Sequence, residues 1–305
     1  MTPLTGQIQK PIFVIGTGRC GSTLIFEAMC VHDDLAWFSN YNKLFPRIDL
    51  VSVLPRIYNL PAIGKYIRGE KRQYGQGTSF INKILPIPFE CYTKWNLLCG
   101  RKFASTFLAG IRATKKEKKR VRKALRRTLF WQGKKRFAAK YTGPTRIEFI
   151  KSIFPDARFI HIKRDARAVI YSWLNVDFWK KSGAFMKPKW TGGLDDNWEE
   201  EWRNYGSTPL ALAAMQYRSI MKICEQEKNL LKDEQYMEIQ FEDFLKAPAD
   251  TMTQLLSFAQ LPASSKIIKY VNNRNYIDTN DKYLSQIPPE HRKILTKIAG
   301  QWCYV

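Results

Sequence analysis

The stretch Gly16-Thr17-Gly18-Arg19-Cys20-Gly21-Ser22-Thr23 follows an apolar run, Ile12–Ile15, and leads into a helix-like segment. Glycines after a strand let backbone N–H groups close on an anion, and the start of the next helix favours negative charge. Ser22 and Thr23 add hydroxyl donors, and Arg19 adds a forked cation suited to a phosphate or a sulfonate. A Walker A loop carries lysine directly after its last glycine. Here Ser22 stands in that place, and Arg19 is the only cation of the loop. A second stretch, "FPDARFIHIKRDARAVIYSWL" (154–174), sets Arg164 at a strand end and Ser172 eight residues later, two helical turns on. A guanidinium and a hydroxyl so placed can hold one phosphate at the mouth of a sheet. Each stretch also has a plainer reading: a glycine turn packing helix on strand, and an Arg164–Asp165 surface pair.

The elements that must position these groups alternate between strand and helix. Strands are expected at Ile12–Ile15, 35–41, 136–141, 157–165 and 235–241. Helices are expected from Ser22 to Val31, across 113–133 with Gly133 as a stop, and over 145–154 closed by Pro155. Others follow at 166–175, 209–228 and 247–261. Pro46, Pro55, Pro61, Pro86 and Pro88 cut residues 42–100 into short pieces. The order implies an α/β domain with a central, mostly parallel sheet and helices on both faces. Ligands of such sheets sit at the carboxyl ends of the strands. The first loop, the end of the second strand, Lys140 and the turn at 164 all point to that edge.

A chain of 305 residues with 45% apolar and 13% aromatic content is globular and large enough for one sizeable core. No apolar run approaches the roughly 20 residues that span a bilayer. The first residues lack a secretory h-region, so a cytoplasmic location is expected. Six cysteines without a C-x-x-C pair read as reduced, mostly buried thiols, and three scattered histidines make a metal site unexpected. The net charge of +23 is uneven: residues 101–140 hold 16 Lys and Arg against the single acid Glu117. A field of this sign attracts anionic ligands or acidic membranes. No zinc finger, RRM or helix-turn-helix signature accompanies it, so specific nucleic-acid binding is not expected.

Together the two stretches resemble the PAPS-dependent sulfotransferases, closest to their bacterial-type branch. That family has a 5′-phosphosulfate loop ending in Arg/Lys, Ser/Thr, Gly, Ser/Thr, Thr, here Arg19, Cys20, Gly21, Ser22 and Thr23. It also has a 3′-phosphate motif of Arg/Lys-Asp-x-Arg with a serine five residues further on, here Arg164, Asp165, Arg167 and Ser172. "HDDLAWFSNY" (32–41) and "YMEIQFEDFLKAPADTMTQLLSFAQLP" (236–262) look like the family's passage to its second strand and its C-terminal tail. The resemblance covers about 11–60 and 136–300. It implies sulfonate transfer from 3′-phosphoadenylyl sulfate (PAPS) to an acceptor hydroxyl or amine, with no metal. It also explains the missing lysine, since no β,γ-phosphate bond is cleaved and Arg19 takes the place of the family's cation. The family has serine or threonine where this chain has Cys20. Lys140, in "AAKYTGPTRI", corresponds to a family lysine before the helix that precedes the 3′-phosphate strand, although Ala139 and Tyr141 depart from that motif. Lys282 and Tyr283, in "DTNDKYLSQI", correspond to a segment that closes over the nucleotide.

An attacking hydroxyl needs a proton acceptor, and the expected end of the second strand, Ser39–Asn42, offers no carboxylate. Glu27, His32, Asp33, Asp34 and Asp49 are the candidates, with none singled out. Residues 1–305 read as a single sulfotransferase domain with two additions. One is a basic helical insertion at about 101–135, whose cations nearly encircle its helix and which is read as a cover for the acceptor entrance, a contact to an acidic membrane, or a solvated helix. The other is an aromatic-rich excursion at about 176–206, which with its flanks carries five of the nine tryptophans and reads as a lid or as an anchored loop. The acceptor is left as a small molecule, a lipid or a carbohydrate. Two competing readings are a kinase or NTPase with a degenerate loop and a non-catalytic polyanion-binding protein.

Overall fold

The computed structural model describes residues 7–60 and 84–304; the first six residues and Pro61, part of the sequence reading above, lie outside that range. Five strands form one sheet in the order β2-β3-β1-β4-β5. They are β1 Ile12–Gly16, β2 Leu35–Ala36, β3 Arg136–Thr142, β4 Arg158–Lys163 and β5 Tyr236–Gln240. Every pairing is parallel, as strand–helix alternation requires. β1 lies at the centre and is buried along its whole length, which is why it reads as an unbroken apolar run. Its register sets Gly16 opposite Thr142 of β3 and Ile162 of β4, so the loops after all three strands open at one edge.

Alternate residues of the strands feed two cores, one on each face of the sheet. Val14, Ala138 and Ile160 join the helices at 22–29, 166–174, 209–228 and 248–259 on one face. Phe13, Phe137 and Phe159 join the helices at 92–99, 115–132 and 147–153 on the other. Aromatic packing is dense there: Trp95 stacks on Phe103 at 5.0 Å and meets Phe38 edge-on at 5.7 Å.

Three expectations need correction. The first helix stops at Met29 rather than Val31, because His32 N–H donates to the Met29 carbonyl and turns the chain toward β2. The second strand covers only Leu35–Ala36 of the expected 35–41. Ser39 N–H donates to Asn42 Oδ1 at 2.9 Å, closing a turn that starts a short helix at Asn40–Leu44. The basic helix, Lys115–Gln132, is not encircled by its cations. Val121, Ala124, Leu125, Thr128 and Leu129 bury one face, and the lysines and arginines keep to the remainder. Its ends are well marked: Thr114 Oγ1 accepts from Glu117 N–H at 3.2 Å, and Gly133 ends it with φ 67°.

The 176–206 excursion is anchored by its rings. Trp179 stacks on Trp173 at 4.5 Å, and Trp190 meets both edge-on at 5.8 and 6.0 Å. All three tryptophans are core residues, whereas Trp198 and Trp202 are only partly buried.

One buried group makes stability depend on pH. His161 of β4 is fully enclosed, with Nδ1 2.7 Å from the Tyr236 hydroxyl. Burial pushes its pKa down from 6.5 to about 4. The unfolded chain takes up this proton near 6.5, whereas the folded chain refuses it until about 4, so stability falls as pH drops through that window. The loss expected from this group is about 2 kcal/mol by pH 5. Urea titrations of the wild type and His161→Gln at pH 7 and pH 5 check this: the variant should lose less on acidification, and an equal loss in both would refute it.

Candidate active site

The first loop leaves β1 through Gly16 and enters its helix at Ser22. Gly18 and Gly21 both lie at φ 82° and Arg19 at φ 58°, the left-handed region that side chains other than glycine's adopt at a cost. A strained non-glycine residue of this kind is characteristic of a loop shaped for a ligand. Gly21 has a second reason to be glycine: a Cβ there would stand 2.1 Å from the ring of Phe241. No side chain caps the helix N-terminus and no acid lies in its first turn, so its leading N–H groups and the hydroxyl-bearing Ser22 and Thr23 are available to an anion. Cys20 differs from its neighbours. Its side chain is fully buried against Gly16, so it offers the site backbone rather than Sγ.

The second stretch comes to the same place. Arg19 Nε donates to Ser172 Oγ at 2.9 Å, and Arg164 Nη1 donates to the Arg19 carbonyl at 2.9 Å. The Arg164–Asp165 surface pair does not form. Arg164 is 8% exposed and Asp165 instead holds Arg167 at 2.6 Å. Arg164 is fixed further by Asn280 Oδ1 at 2.7 Å and Thr279 Oγ1 at 3.0 Å, and its guanidinium lies over the Phe241 ring. Burial pulls its pKa below the usual arginine value and Glu242 pulls it back up; an arginine stays charged throughout.

Lys140 points from β3 to the loop. Its Nζ donates to Thr23 Oγ1 at 2.7 Å and pairs with Glu90 Oε1 at 2.8 Å. Thr142 Oγ1 donates to the same Glu90 oxygen at 3.1 Å. Residues 86–89 deliver Glu90 by running against 38–40: Phe89 N–H donates to the Phe38 carbonyl and Asn40 N–H to that of Ile87. Lys282 is exposed at the start of a short helix, Lys282–Gln286. Tyr283 is buried, with the Arg167 guanidinium 5.1 Å from its ring centroid.

The proton-acceptor candidates of the sequence are engaged elsewhere. Glu27 is buried 3.9 Å from Arg274 Nη1, and His32 Nε2 lies 3.0 Å from the Pro262 carbonyl. Asp33 pairs with Lys266, Asp34 with Lys135, and Asp49 with Lys94 and Arg127. Glu90 is a carboxylate in contact with Lys140, the β3 cation that reaches Thr23 of the loop. It sits in the proline-cut region where periodicity is silent. No group of three or more metal-ligating side chains occurs among the described residues.

The model of the Sulfotransferase family matches residues 11–265. The chain belongs to the sulfotransferase family. It is accordingly a transferase, and its fold has solved counterparts. The sulfotransferase STF9 of Mycobacterium avium superposes with a TM-score of 0.59 at 15% identity, over 98% of this chain and 77% of that one. STF1 of Mycobacterium tuberculosis H37Rv gives 0.56 at 16% identity, over 96% and 77%. The sulfotransferase domain of the curacin biosynthetic pathway gives 0.52 at 14% identity, over 97% and 98%. No curated protein matches by sequence.

In this sulfotransferase the C-terminal tail has a definable job. Phe241 packs on Gly21 and under Arg164, while Glu242 Oε1 accepts from Asp165 N–H at 3.1 Å and from Asn280 Nδ2 at 3.0 Å. Two adjacent tail residues thus brace both the loop at 16–23 and the turn at 164–165. Thr279 and Asn280, two to three residues before Lys282, are the part of that segment that touches Arg164.

Proposed function

We propose that this sulfotransferase moves a sulfonate from PAPS to an acceptor hydroxyl. The observation carrying the proposal is that Arg164 and Ser172, from one motif, both bond to Arg19 of the other, so the two anion-binding stretches make one site. PAPS supplies a sulfonate on a good phosphate leaving group. The loop N–H groups from Arg19 to Thr23, with the Ser22 and Thr23 hydroxyls, hold its 5′-phosphosulfate end; Arg164 and Ser172 hold its 3′-phosphate. Lys282 and Tyr283 sit in the segment that would close over the nucleotide. A Cβ at Gly18 would meet Thr142 Oγ1 at 3.4 Å and Trp173 Nε1 at 3.7 Å, so polar side-chain atoms of two other elements stand beside the loop there.

Sulfonate transfer resembles phosphoryl transfer, in which positioning and cations do most of the work. The acceptor oxygen forms a bond to sulfur as the bond from sulfur to the phosphate oxygen breaks. Arg19 and Lys140 meet the negative charge growing on that phosphate. Glu90, held by Lys140 and Thr142, takes the proton that the acceptor gives up. PAP and the sulfonated acceptor leave.

Calorimetric titration with PAP, with ATP–Mg²⁺ alongside, tests the donor assignment. Wild type should bind PAP tightly and ATP–Mg²⁺ weakly. Arg164→Ala should weaken PAP by about a hundredfold, the scale of losing charge-assisted hydrogen bonds to one phosphate. Arg164 also braces the protein through Arg19, Thr279 and Asn280, so Ser172→Ala is the milder companion, expected to weaken PAP about tenfold. Tighter binding of ATP–Mg²⁺ than of PAP would instead favour a kinase-type donor.

A further inference from the structure

We propose that the face built by residues 44–50 and the basic helix docks on an anionic lipid bilayer. Leu44, Phe45, Ile48 and Leu50 are 47–64% exposed, four large apolar side chains close together in the chain at the junction of two short helices. Soluble surfaces rarely cluster such groups without a use. The one acid among them, Asp49, is turned inward and held at 2.7 Å by both Lys94 and Arg127. The second of these contacts joins the apolar knuckle to the basic helix.

On that helix Lys116, Arg120, Lys123 and Arg127 fall at spacings of four, three and four residues. This makes one stripe that ends beside Asp49. A second stripe, Lys115, Lys119, Arg122 and Arg126, runs beside it. The only acid of the helix, Glu117, is buried and spent on its N-terminal cap. An apolar wedge next to a cationic stripe matches the two layers of a bilayer surface, acyl boundary and anionic headgroups. A nucleic acid would use the cations and leave the four apolar side chains in water.

The knuckle also adjoins the acceptor side of the site. Lys43, which precedes it, lies 4.9 Å from the ring centroid of Phe89, the neighbour of Glu90, and the Lys43 carbonyl accepts from Thr93 Oγ1. Docked this way, the enzyme takes its acceptor hydroxyl from the membrane surface; that clause alone rests on the sulfotransferase reading.

The test is co-sedimentation of the full chain, without donor, with vesicles of phosphatidylcholine alone and of equal parts phosphatidylcholine and phosphatidylglycerol. The protein should pellet with the anionic vesicles only. Lys116→Gln/Arg120→Gln/Lys123→Gln should weaken this about a hundredfold, at about fivefold per cation. Leu44→Ser/Phe45→Ser/Ile48→Ser should weaken it at least about tenfold, and both triple variants should bind PAP as wild type does. Failure to pellet, or pelleting untouched by the serine triple, overturns the proposal. So does binding to duplex DNA as tight as to the vesicles. Loss of PAP binding with pelleting intact would instead strike the donor assignment and leave the docking face standing.

Discussion

Glu90→Gln lowers the turnover number for sulfonate transfer by about a thousandfold, within the range that general-base catalysis supplies. The glutamine keeps the shape of the side chain and an oxygen for Lys140 and Thr142, which now hold Glu90 at 2.8 and 3.1 Å. It removes the capacity to accept a proton. PAP affinity should stay within about twofold of wild type, because the loop and Arg164 are untouched. One further variant checks this assignment. Glu90→Asp should recover part of the rate, since a carboxylate remains. Wild-type turnover in Glu90→Gln would show that the proton leaves by another route.

Arg19→Ala lowers turnover by a similar factor, about a thousandfold, which is what removing one preorganised donor to developing negative charge costs elsewhere. The Arg19 side chain is exposed and its side-chain hydrogen bond goes to the half-buried Ser172 hydroxyl, so stability should change little. Alanine even keeps the burden of φ 58° no worse than arginine does. The measurement is kcat and KM for PAPS with a fixed acceptor, beside a thermal melt. A fall in kcat larger than the rise in KM marks a contact made mainly in the transition state. Arg19→Lys should restore more than half of the lost free energy, because a point charge survives while the fork is lost. A variant with unaltered kcat and weakened PAPS would reassign Arg19 to ground-state binding.

The parts legible in the sequence were those with long periodic or apolar signals. β4 reads from Phe159, Ile160 and Ile162, interrupted by His161, and the helix at 209–228 from its spacing and from Pro209 at its start. The two stretches stood out because arginine and a hydroxyl stand at fixed offsets in each, with glycines in the first, although each alone admits a plainer reading. What escaped depends on tertiary pairing. Glu90 reaches Lys140 only because residues 86–89 run against 38–40, a contact across a proline-rich stretch with no period of its own. Thr279 and Asn280 reach Arg164 from more than a hundred residues away. The early end of β2 was written locally, in the turn between Ser39 and Asn42, yet the apolar Trp37 and Phe38 before it still read as strand. The basic helix misled in the opposite way. The spacing of Val121, Leu125 and Leu129 marks a helix, but the cations beside them are too many for that spacing alone to give the width of the buried face.

The place of β1 at the centre of the sheet has a consequence for how the chain acquires its site during synthesis. Ile12 finds its two neighbours at Ala138 and Arg158, so the strand that launches the anion loop waits for about half the polypeptide before either edge of it is satisfied. Contacts of such long range are slow to form, and an emerging chain holds its apolar segments open until their partners arrive. A fragment ending before residue 136 therefore lacks both strands that flank β1, and no shortening of the protein from the C-terminal side into β4 leaves a folded loop behind. The residues proposed for catalysis are brought together only after these late strands have been made.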